Sequence, residues 1–186
     1  MSDAPESPAA PEPVTMRLMA LADIHRVREW RNLPEISAYM YTDHEIFDNE
    51  HARWFGNAIN DPSRRYWIIE LEGVPVGLAN LYDVSTAHRR AYWAFYLASP
   101  EVRGRGVGSY AERFVIRYTF EDLALEKLCC EVLATNAAVV KMHQRYGFQV
   151  DGTLRQHVVK SGERVDVVTL SLLREDWASG RWSDRG

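Results

Sequence analysis

A glycine-rich stretch in the middle of the chain constrains its fold and chemistry most. It reads Arg103-Gly104-Arg105-Gly106-Val107-Gly108-Ser109. Aromatic, strand-like residues 91–97 precede it, and residues 110–120 follow with apolar side chains at helical spacing. A glycine turn that opens a helix directs backbone N–H groups and the positive end of the helix dipole at one point, and glycine lets a ligand approach closely. The stretch therefore predicts an anion site, suited to phosphate, where a helix begins.

The spacing of this loop does not match the common nucleotide-binding patterns. It reads G-x-G-x-G over residues 104–108, whereas dinucleotide folds use G-x-G-x-x-G and nucleoside-triphosphate loops need G-K-[ST]. A tight strand-to-helix turn without a ligand also fits, because glycine is common at turns. The loop by itself does not distinguish a ligand-free turn from an anion site.

The composition narrows the class of protein. The chain has 186 residues, of which 46% are hydrophobic and 26% charged, which is the size and balance of one globular domain. Its net charge of −4 argues against general nucleic-acid affinity, and no apolar run approaches the roughly 20 residues that span a bilayer. The adjacent Cys129 and Cys130 cannot form an ordinary disulfide and favour a reducing cytoplasm. The six histidines show no metal-ligand spacing, so we expect a cytoplasmic protein without metal, and the oligomeric state stays open.

The order of strands and helices predicts an α+β fold. A strand over residues 90–97, the glycine loop with its helix, and a strand over residues 127–133 form a βαβ crossover, so these strands should be parallel. Hairpins about residues 72–73 and 160–163 make the sheet mixed rather than doubly wound. The predicted helices begin after the glycine loop and after three caps, which are Asp23, Asp48 or Asn49, and Thr135 or Asn136. The helix after Asp48 should turn Ala52, Phe55 and Ile59 inward.

The domain boundaries follow from composition. Residues 1–13 are rich in Pro, Ala, Ser and acidic residues and predict a disordered tail. Residues 14–177 are expected to form a single domain, since neither a linker nor an internal repeat occurs within them. Residues 178–186 are expected to form a C-terminal tail.

The second half of the chain resembles a known superfamily in three places. Arg103-x-x-Gly106-x-Gly108 resembles the R/Q-x-x-G-x-G/A signature of the GCN5-related N-acetyltransferase (GNAT) superfamily. Residues 128–138 resemble its strand-then-Asn-x-x-A segment, and residues 142–148, Met-His-Gln-Arg-Tyr-Gly-Phe, are similar to its L-Y-x-x-x-G-F element. The resemblance implies a GNAT-type acyl-CoA N-acyltransferase fold. In that fold, helices flank a central mixed, mostly antiparallel sheet with a splayed parallel strand pair.

For the cosubstrate, the resemblance implies acetyl-CoA. Its pyrophosphate would bind to the backbone of the glycine loop, whose members are Arg103, Gly104, Arg105, Gly106, Val107, Gly108 and Ser109. Backbone groups of Leu97, Ala98 and Ser99 would face the pantetheine arm, with one N–H as oxyanion donor. The two loop arginines either meet phosphate charge or are solvated surface charges. Asn136 would hydrogen-bond the pantetheine arm, cap its helix, or do both.

For catalysis, the resemblance points to an acid and a base. His143 stands where the superfamily usually has a tyrosine that protonates the departing thiolate, and histidine can serve as an acid or base near neutrality. Packing is the alternative role for His143. Tyr146 is the second candidate acid, although core packing is favoured for it. Many relatives carry a glutamate base where this chain has Tyr92; we predict Glu131 as the replacement, since strand alternation turns it toward the cleft.

For the acceptor, the first half of the chain resembles one subfamily. Trp30-Arg31-Asn32 and His51-x-x-Trp54-Phe55 are similar to the nucleotide-sugar amine acetyltransferases of pseudaminic acid biosynthesis. Those enzymes acetylate the 4-amino group of UDP-4-amino-4,6-dideoxy-N-acetyl-altrosamine, whose product sugar decorates flagellin. The implied substrate-binding residues are Arg31, His51, Trp54, Trp93 and Tyr82.

These acceptor residues allow other interpretations. Arg31 and His51 suit phosphate oxygens, and Trp54 or Trp93 suits stacking on a base or sugar, but core packing is commoner for tryptophan. Ribosomal-protein N-terminal acetyltransferases and spermidine acetyltransferases share much of the same pattern. A non-catalytic acyl-CoA-binding module is the alternative from another functional class.

Overall fold

The computed structural model describes residues 14–180, which contain seven strands and six α-helices. The predicted tail over residues 1–13, and residues 181–186 of the predicted C-terminal tail, lie outside the described residues. The strands are β1 Val14–Leu18, β2 Arg65–Leu71, β3 Val74–Ser85, β4 Arg90–Leu97, β5 Lys127–Leu133, β6 Gln149–Lys160 and β7 Glu163–Leu173. The helices are α1 Ile24–Arg31, α2 Pro34–Ser37, α3 Asp48–Asn60, α4 Val107–Arg117, α5 Ala137–Arg145 and α6 Arg174–Ala178.

Over residues 14–180, the strands form one mixed sheet. Their order is β1-β2-β3-β4-β5-β7-β6. Neighbouring strands are antiparallel except β4 and β5, which are parallel and joined by the crossover through α4. The predicted α+β fold with a mixed, mostly antiparallel sheet is confirmed.

The parallel pair separates after three residue pairs. Arg90, Ala91 and Tyr92 lie opposite Lys127, Leu128 and Cys129. Beyond Tyr92, β4 stays paired with β3 as far as Leu97, while β5 stays paired with β7 as far as Leu133. Each strand therefore follows its antiparallel partner, and a gap opens between the two parallel strands in the middle of the sheet.

Apolar helix faces cover both sides of the sheet. The larger buried cluster packs α4, through residues such as Ala111 and Val115, against inward side chains of the central strands such as Trp93. The smaller cluster packs Val27 of α1 and Phe55 of α3 on the other side. Burial of two separate apolar faces fixes the sheet between two helical layers.

The end of the chain contributes to the larger cluster. Arg174–Ala178 form a short helix, and the Trp177 ring packs on Phe120 with centroids 5.3 Å apart. Trp177 therefore belongs to the folded domain, and the helix continues one residue past the predicted boundary at residue 177. Within residues 14–180, no helix is long and apolar enough to cross a membrane.

Candidate active site

A cavity of about 450 Å³ lies where β4 and β5 separate. Trp93 and Cys130, which belong to the larger buried cluster, line it. Tyr96 and Glu131 line it as well. Each follows by one strand position a residue on the side of the larger cluster, which is Phe95 for Tyr96 and Cys130 for Glu131. Because successive strand side chains point to opposite faces, the cavity has walls on both faces of the sheet. A cofactor arm and an acceptor can therefore meet in the gap from opposite sides.

The first turn of α4 supplies a group of backbone donors. Gly106 precedes the helix with φ of 77°, a left-handed conformation that favours glycine. Within residues 14–180, no acceptor bonds the N–H groups of four successive residues, which are Gly106, Val107, Gly108 and Ser109. The positive end of the helix dipole lies at the same place. This arrangement fits an anion such as a pyrophosphate.

The two arginines of the loop use their backbone N–H groups in nearby hydrogen bonds. The N–H of Arg103 donates to the Pro100 carbonyl at 3.2 Å and that of Arg105 to the Val102 carbonyl at 3.3 Å, so these backbone donors are occupied. The Arg105 guanidinium also lies 4.0 Å from Glu72. The backbone donors that this loop offers to an anion are therefore the N–H of Gly104 and those from Gly106 to Ser109.

The end of β4 provides one backbone donor to the gap. The Ala98 N–H donates to the Val76 carbonyl on β3 at 2.7 Å, so this donor is occupied within the sheet. Because the donors of a strand alternate between its two neighbours, the preceding N–H, that of Leu97, points away from β3 and toward the gap. The Ser99 carbonyl is also occupied, since it accepts the Val102 N–H at 3.4 Å.

Asn136 lies at the start of α5 and lines the cavity. Its side chain makes no capping hydrogen bond. The cap role that the sequence left open for Asn136 is therefore absent, and its amide is available to a ligand in the cavity.

His143 forms a buried pair with Glu112 of α4. Its Nδ1 lies 2.7 Å from Glu112 Oε1, and the two side chains are 4% and 0% exposed. The imidazole also meets the Trp93 ring edge-on, with centroids 5.2 Å apart, and lines the cavity. Burial raises the pKa of the Glu112 carboxyl above its ordinary value, and the hydrogen bond from His143 opposes that rise. The remaining ring nitrogen, Nε2, is the one left for a ligand.

Glu131 lines the cavity on the face covered by α1 and α3, where it accepts a hydrogen bond from Tyr41. The Tyr41 hydroxyl lies 2.7 Å from Glu131 Oε2. Burial and, after it, this hydrogen bond raise the pKa of Tyr41 above its ordinary value, so Tyr41 remains the donor. Tyr146, the second candidate acid, packs against the larger buried cluster and does not line the cavity.

The acceptor side of the cavity carries cationic and aromatic groups. Arg31 lines it and donates to the Thr42 hydroxyl at 3.2 Å, and no carboxylate within residues 14–180 forms an ion pair with it. Arg64 also lines the cavity and donates to Asp61 at 2.9 Å. The aromatic walls include the two predicted substrate residues Trp54 and Tyr82.

Two predicted substrate residues lie in the core. The buried face of α3 is formed by His51, Phe55 and Ala58 rather than by the predicted Ala52, Phe55 and Ile59, so the helix is rotated by about one residue from the expected phase. His51 is 3% exposed, bonds the Ile24 carbonyl at 2.8 Å and does not line the cavity.

Trp93 reaches the cavity only as part of its buried wall. It has no exposed surface and stacks on Phe95 with centroids 5.4 Å apart. It lies on the α4 side of the sheet rather than beside Arg31 and Trp54, so Trp93 is not placed to stack on an acceptor. Strand alternation alone would have placed it on the face opposite to Tyr92.

The structure adds groups that the sequence did not single out. Glu112 reads as an ordinary polar position of an amphipathic helix, although its spacing one residue after Ala111 and three before Val115 would have indicated an inward face. Tyr41 lies in an irregular segment without periodicity. Burial raises the pKa of Cys129 to about 11 and that of Cys130 well above its ordinary value, which disfavours thiolates in this site. Within the described range, no cluster of three or more His, Cys, Asp or Glu side chains could hold a metal ion.

Comparison with known proteins relates this geometry to established enzymes. Residues 14–149 match the model of the family described as acetyltransferase (GNAT) domain. The spermidine N(1)-acetyltransferase of Escherichia coli (strain K12) is 26% identical over 165 residues, which cover 88% of each chain. Acetyltransferase PseH of Campylobacter jejuni is 27% identical over 128 residues, which cover 69% of this chain and 78% of PseH.

A solved structure shares the same fold. The spermidine N-acetyltransferase of Vibrio cholerae, solved in complex with CoA and spermine, superposes with a TM-score of 0.83 at 22% identity and covers 89% of this chain and 98% of that one. The family match extends over the gap between the parallel strands, the donor turn of α4 and His143. The chain belongs to the GNAT acetyltransferase family and is an acetyl-CoA-dependent N-acetyltransferase.

Proposed function

We propose that the acceptor is the 4-amino group of UDP-4-amino-4,6-dideoxy-N-acetyl-altrosamine, so that the enzyme serves pseudaminic acid biosynthesis for flagellin glycosylation. The observation that carries this proposal is Arg31, a guanidinium in the cavity wall without a carboxylate partner among residues 14–180. A half-buried cation of this kind favours an anionic ligand such as a diphosphate, which arginine can bind through two hydrogen bonds. The similarity to PseH supports the same acceptor.

The cavity residues have complementary roles in this reaction. The amine nitrogen attacks the carbonyl carbon of the acetyl thioester, the new C–N bond forms, and the C–S bond breaks. Glu131 accepts the proton of the amine, directly or through water, while Tyr41 holds its carboxylate. The Leu97 N–H stabilises the developing oxyanion. His143 protonates the departing sulfur, and Asn136 bonds the pantetheine arm.

A polyamine is the second candidate acceptor, because the spermidine N-acetyltransferases are similar over 88% of the chain. A polycation is best bound by several carboxylates. Glu131 is the one carboxylate among the described residues that line the cavity, and Arg31 and Arg64 line it too. The charge of the cavity therefore favours the nucleotide sugar over spermidine.

The test is a thiol-release assay with acetyl-CoA and three acceptors: the UDP-amino sugar, spermidine and a ribosomal N-terminal peptide. We expect turnover with the nucleotide sugar, and we expect Arg31→Gln to raise its KM by about tenfold through loss of a charged hydrogen bond. Arg53→Gln, which removes the same charge from an exposed position of α3 outside the cavity, is the matched control. Turnover with spermidine alone, insensitive to Arg31→Gln, would reject the proposed acceptor while leaving the acetyltransferase activity intact.

A further inference from the structure

Glu112 is the most deeply buried ionisable side chain near the active site. It lies on α4 among Ala111, Val115 and Ile116, and none of its surface is exposed. Its Oε1 bonds His143 Nδ1 at 2.7 Å, while its Oε2 has no hydrogen-bond partner within residues 14–180. Removing a carboxylate from water is costly, and one hydrogen bond offsets that cost only in part. A core built for stability alone would favour an apolar residue at this position.

The pair joins the two helices that carry the predicted cofactor groups. Glu112 follows the donor turn of α4 by one to two helical turns, and His143 lies on α5, which begins at Asn136. Since Nδ1 is bonded to Glu112, the ring orientation is set and Nε2 is the nitrogen left for the cavity that His143 lines. Nε2 itself has no hydrogen-bond partner within the described residues.

The surroundings of the pair contain few other charges. Trp93 of β4 and Phe148 pack against the imidazole with centroids 5.2 and 5.3 Å away. The titratable neighbours are the Cys130 thiol of β5, which interacts with the Glu112 charge, and Arg145 of α5 itself, which interacts weakly with Glu112. Glu112 is the one carboxylate within residues 14–180 that bonds to His143.

We propose that Glu112 is a positioning residue that acts through His143. Its carboxylate fixes the Nδ1–H tautomer and stabilises the imidazolium, so that Nε2–H donates its proton to the sulfur as the C–S bond breaks. The sulfur keeps the electron pair of that bond and takes the proton, and neutral imidazole remains until it regains a proton from solvent. This inference rests on the proposed role of His143 as the acid and does not depend on which amine is the acceptor.

The first test follows the protonation of His143 without an acceptor. In the CoA complex of the full chain labelled with 15N-histidine, the signals of His143 are assigned by comparison with His143→Gln. We expect the wild type to hold the Nδ1–H tautomer, because a carboxylate can only accept. We expect Glu112→Gln, which keeps the shape of the side chain and whose amide can donate to Nδ1 as well as accept from it, to hold a mixture of both tautomers. An unchanged tautomer in Glu112→Gln would overturn the proposal.

The second test is a double-mutant cycle on kcat with whichever amine is turned over. We expect Glu112→Gln to lower kcat by about 10- to 100-fold, with little change in the Kd for acetyl-CoA. We expect Glu112→Asp to recover part of the loss. In the His143→Gln background, Glu112→Gln should have almost no further effect. Additive losses from the two substitutions would mean that Glu112 supports the fold and not the proton transfer. If the enzyme did not acetylate the nucleotide sugar, both tests could still be carried out with another amine that it acetylates. Failure of the proposed acceptor and failure of the role of Glu112 are therefore distinguishable.

Discussion

The two ends of the active site are built in different ways. At the cofactor end, consecutive backbone N–H groups from Gly106 to Ser109 are without an acceptor, and the loop before them has two glycines, Gly104 and Gly106, in the left-handed conformation. At the acceptor end, side chains from α1, α3, β5 and the segment between α2 and α3 converge on the cavity. A backbone site of this kind tolerates sequence change between its glycines, whereas a side-chain site changes its ligand with each substitution. A family built in this way can keep its cosubstrate while substitutions at the acceptor end change the acceptor.

A contact from the far end of the sequence holds the acceptor end together. Lys160, at the tip of the β6–β7 hairpin, donates to the carbonyls of Ser37 at 3.0 Å and Thr42 at 2.8 Å and pairs with Asp43 at 2.9 Å. The Ser161 N–H also donates to Asp43, at 2.6 Å. These contacts enclose the segment that carries Tyr41, so the acceptor end depends on chain positions that are more than 100 residues apart.

The largest effect is expected at the cofactor end. Gly106→Val places a β-branched residue at φ of 77°, which costs about 1–2 kcal/mol and misdirects the donors of α4. We expect the Kd for acetyl-CoA to rise by about tenfold or more, as measured by calorimetry, with a smaller change in the KM of the acceptor. Gly180→Val is the matched control, because Gly180 has φ of 66° and lies far from α4 in sequence. Equal Kd values for the wild type and Gly106→Val would remove the loop from cofactor binding.

A medium effect is expected at the acceptor end. Lys160→Met removes the contacts to Ser37, Thr42 and Asp43, so the segment that carries Tyr41 should become more mobile. We expect the acceptor KM to rise roughly fivefold, corresponding to about 1 kcal/mol, with an unchanged Kd for acetyl-CoA. Lys141→Met, at an exposed position of α5, serves as the control. If Lys160→Met weakened acetyl-CoA binding instead, the two ends could not be treated as separate units.

The smallest effect is expected at His51, the predicted ligand that the structure places in the core. Burial lowers the pKa of His51 below its ordinary value. The unfolded chain therefore binds a proton more readily than the folded one, and the stability contributed by neutral His51 is present above its unfolded pKa, about 6.5, and is lost as pH falls below it. In His51→Gln, whose amide can still donate to the Ile24 carbonyl, we expect a smaller loss of unfolding free energy between pH 7.5 and 5.5 and unchanged acceptor KM. Thermal unfolding at both pH values and steady-state kinetics measure these two quantities, and a raised KM would return His51 to the acceptor site.

Predictions from the sequence were better for local features than for side-chain neighbours. The mixed sheet and its parallel pair follow from strand order and from the length of the crossover, both of which are readable along the chain. The inward face of α3 was predicted one residue out of phase, because Ala52 and Ile59 read as apolar while His51 did not. Burial was decided by packing against α1, where the Ile24 carbonyl accepts a hydrogen bond from the Nε2–H of His51. The sequence leaves open which N–H of residues 97–99 faces the gap, because the direction of a strand N–H depends on which neighbour it is paired with.

The sequence by itself determined the α+β fold, the family signature and the donor turn of α4, because these depend on residues close together in the chain and on the conformational freedom of glycine. Only the tertiary structure decided which side chains meet. It brought Glu112 to His143 across 31 positions and Tyr41 to Glu131 across 90. The physical reason is that helix packing and sheet twist fix these distances. The sequence periodicity around a buried carboxylate on a helix, or around a tyrosine in an irregular segment, does not indicate which side chain will contact it.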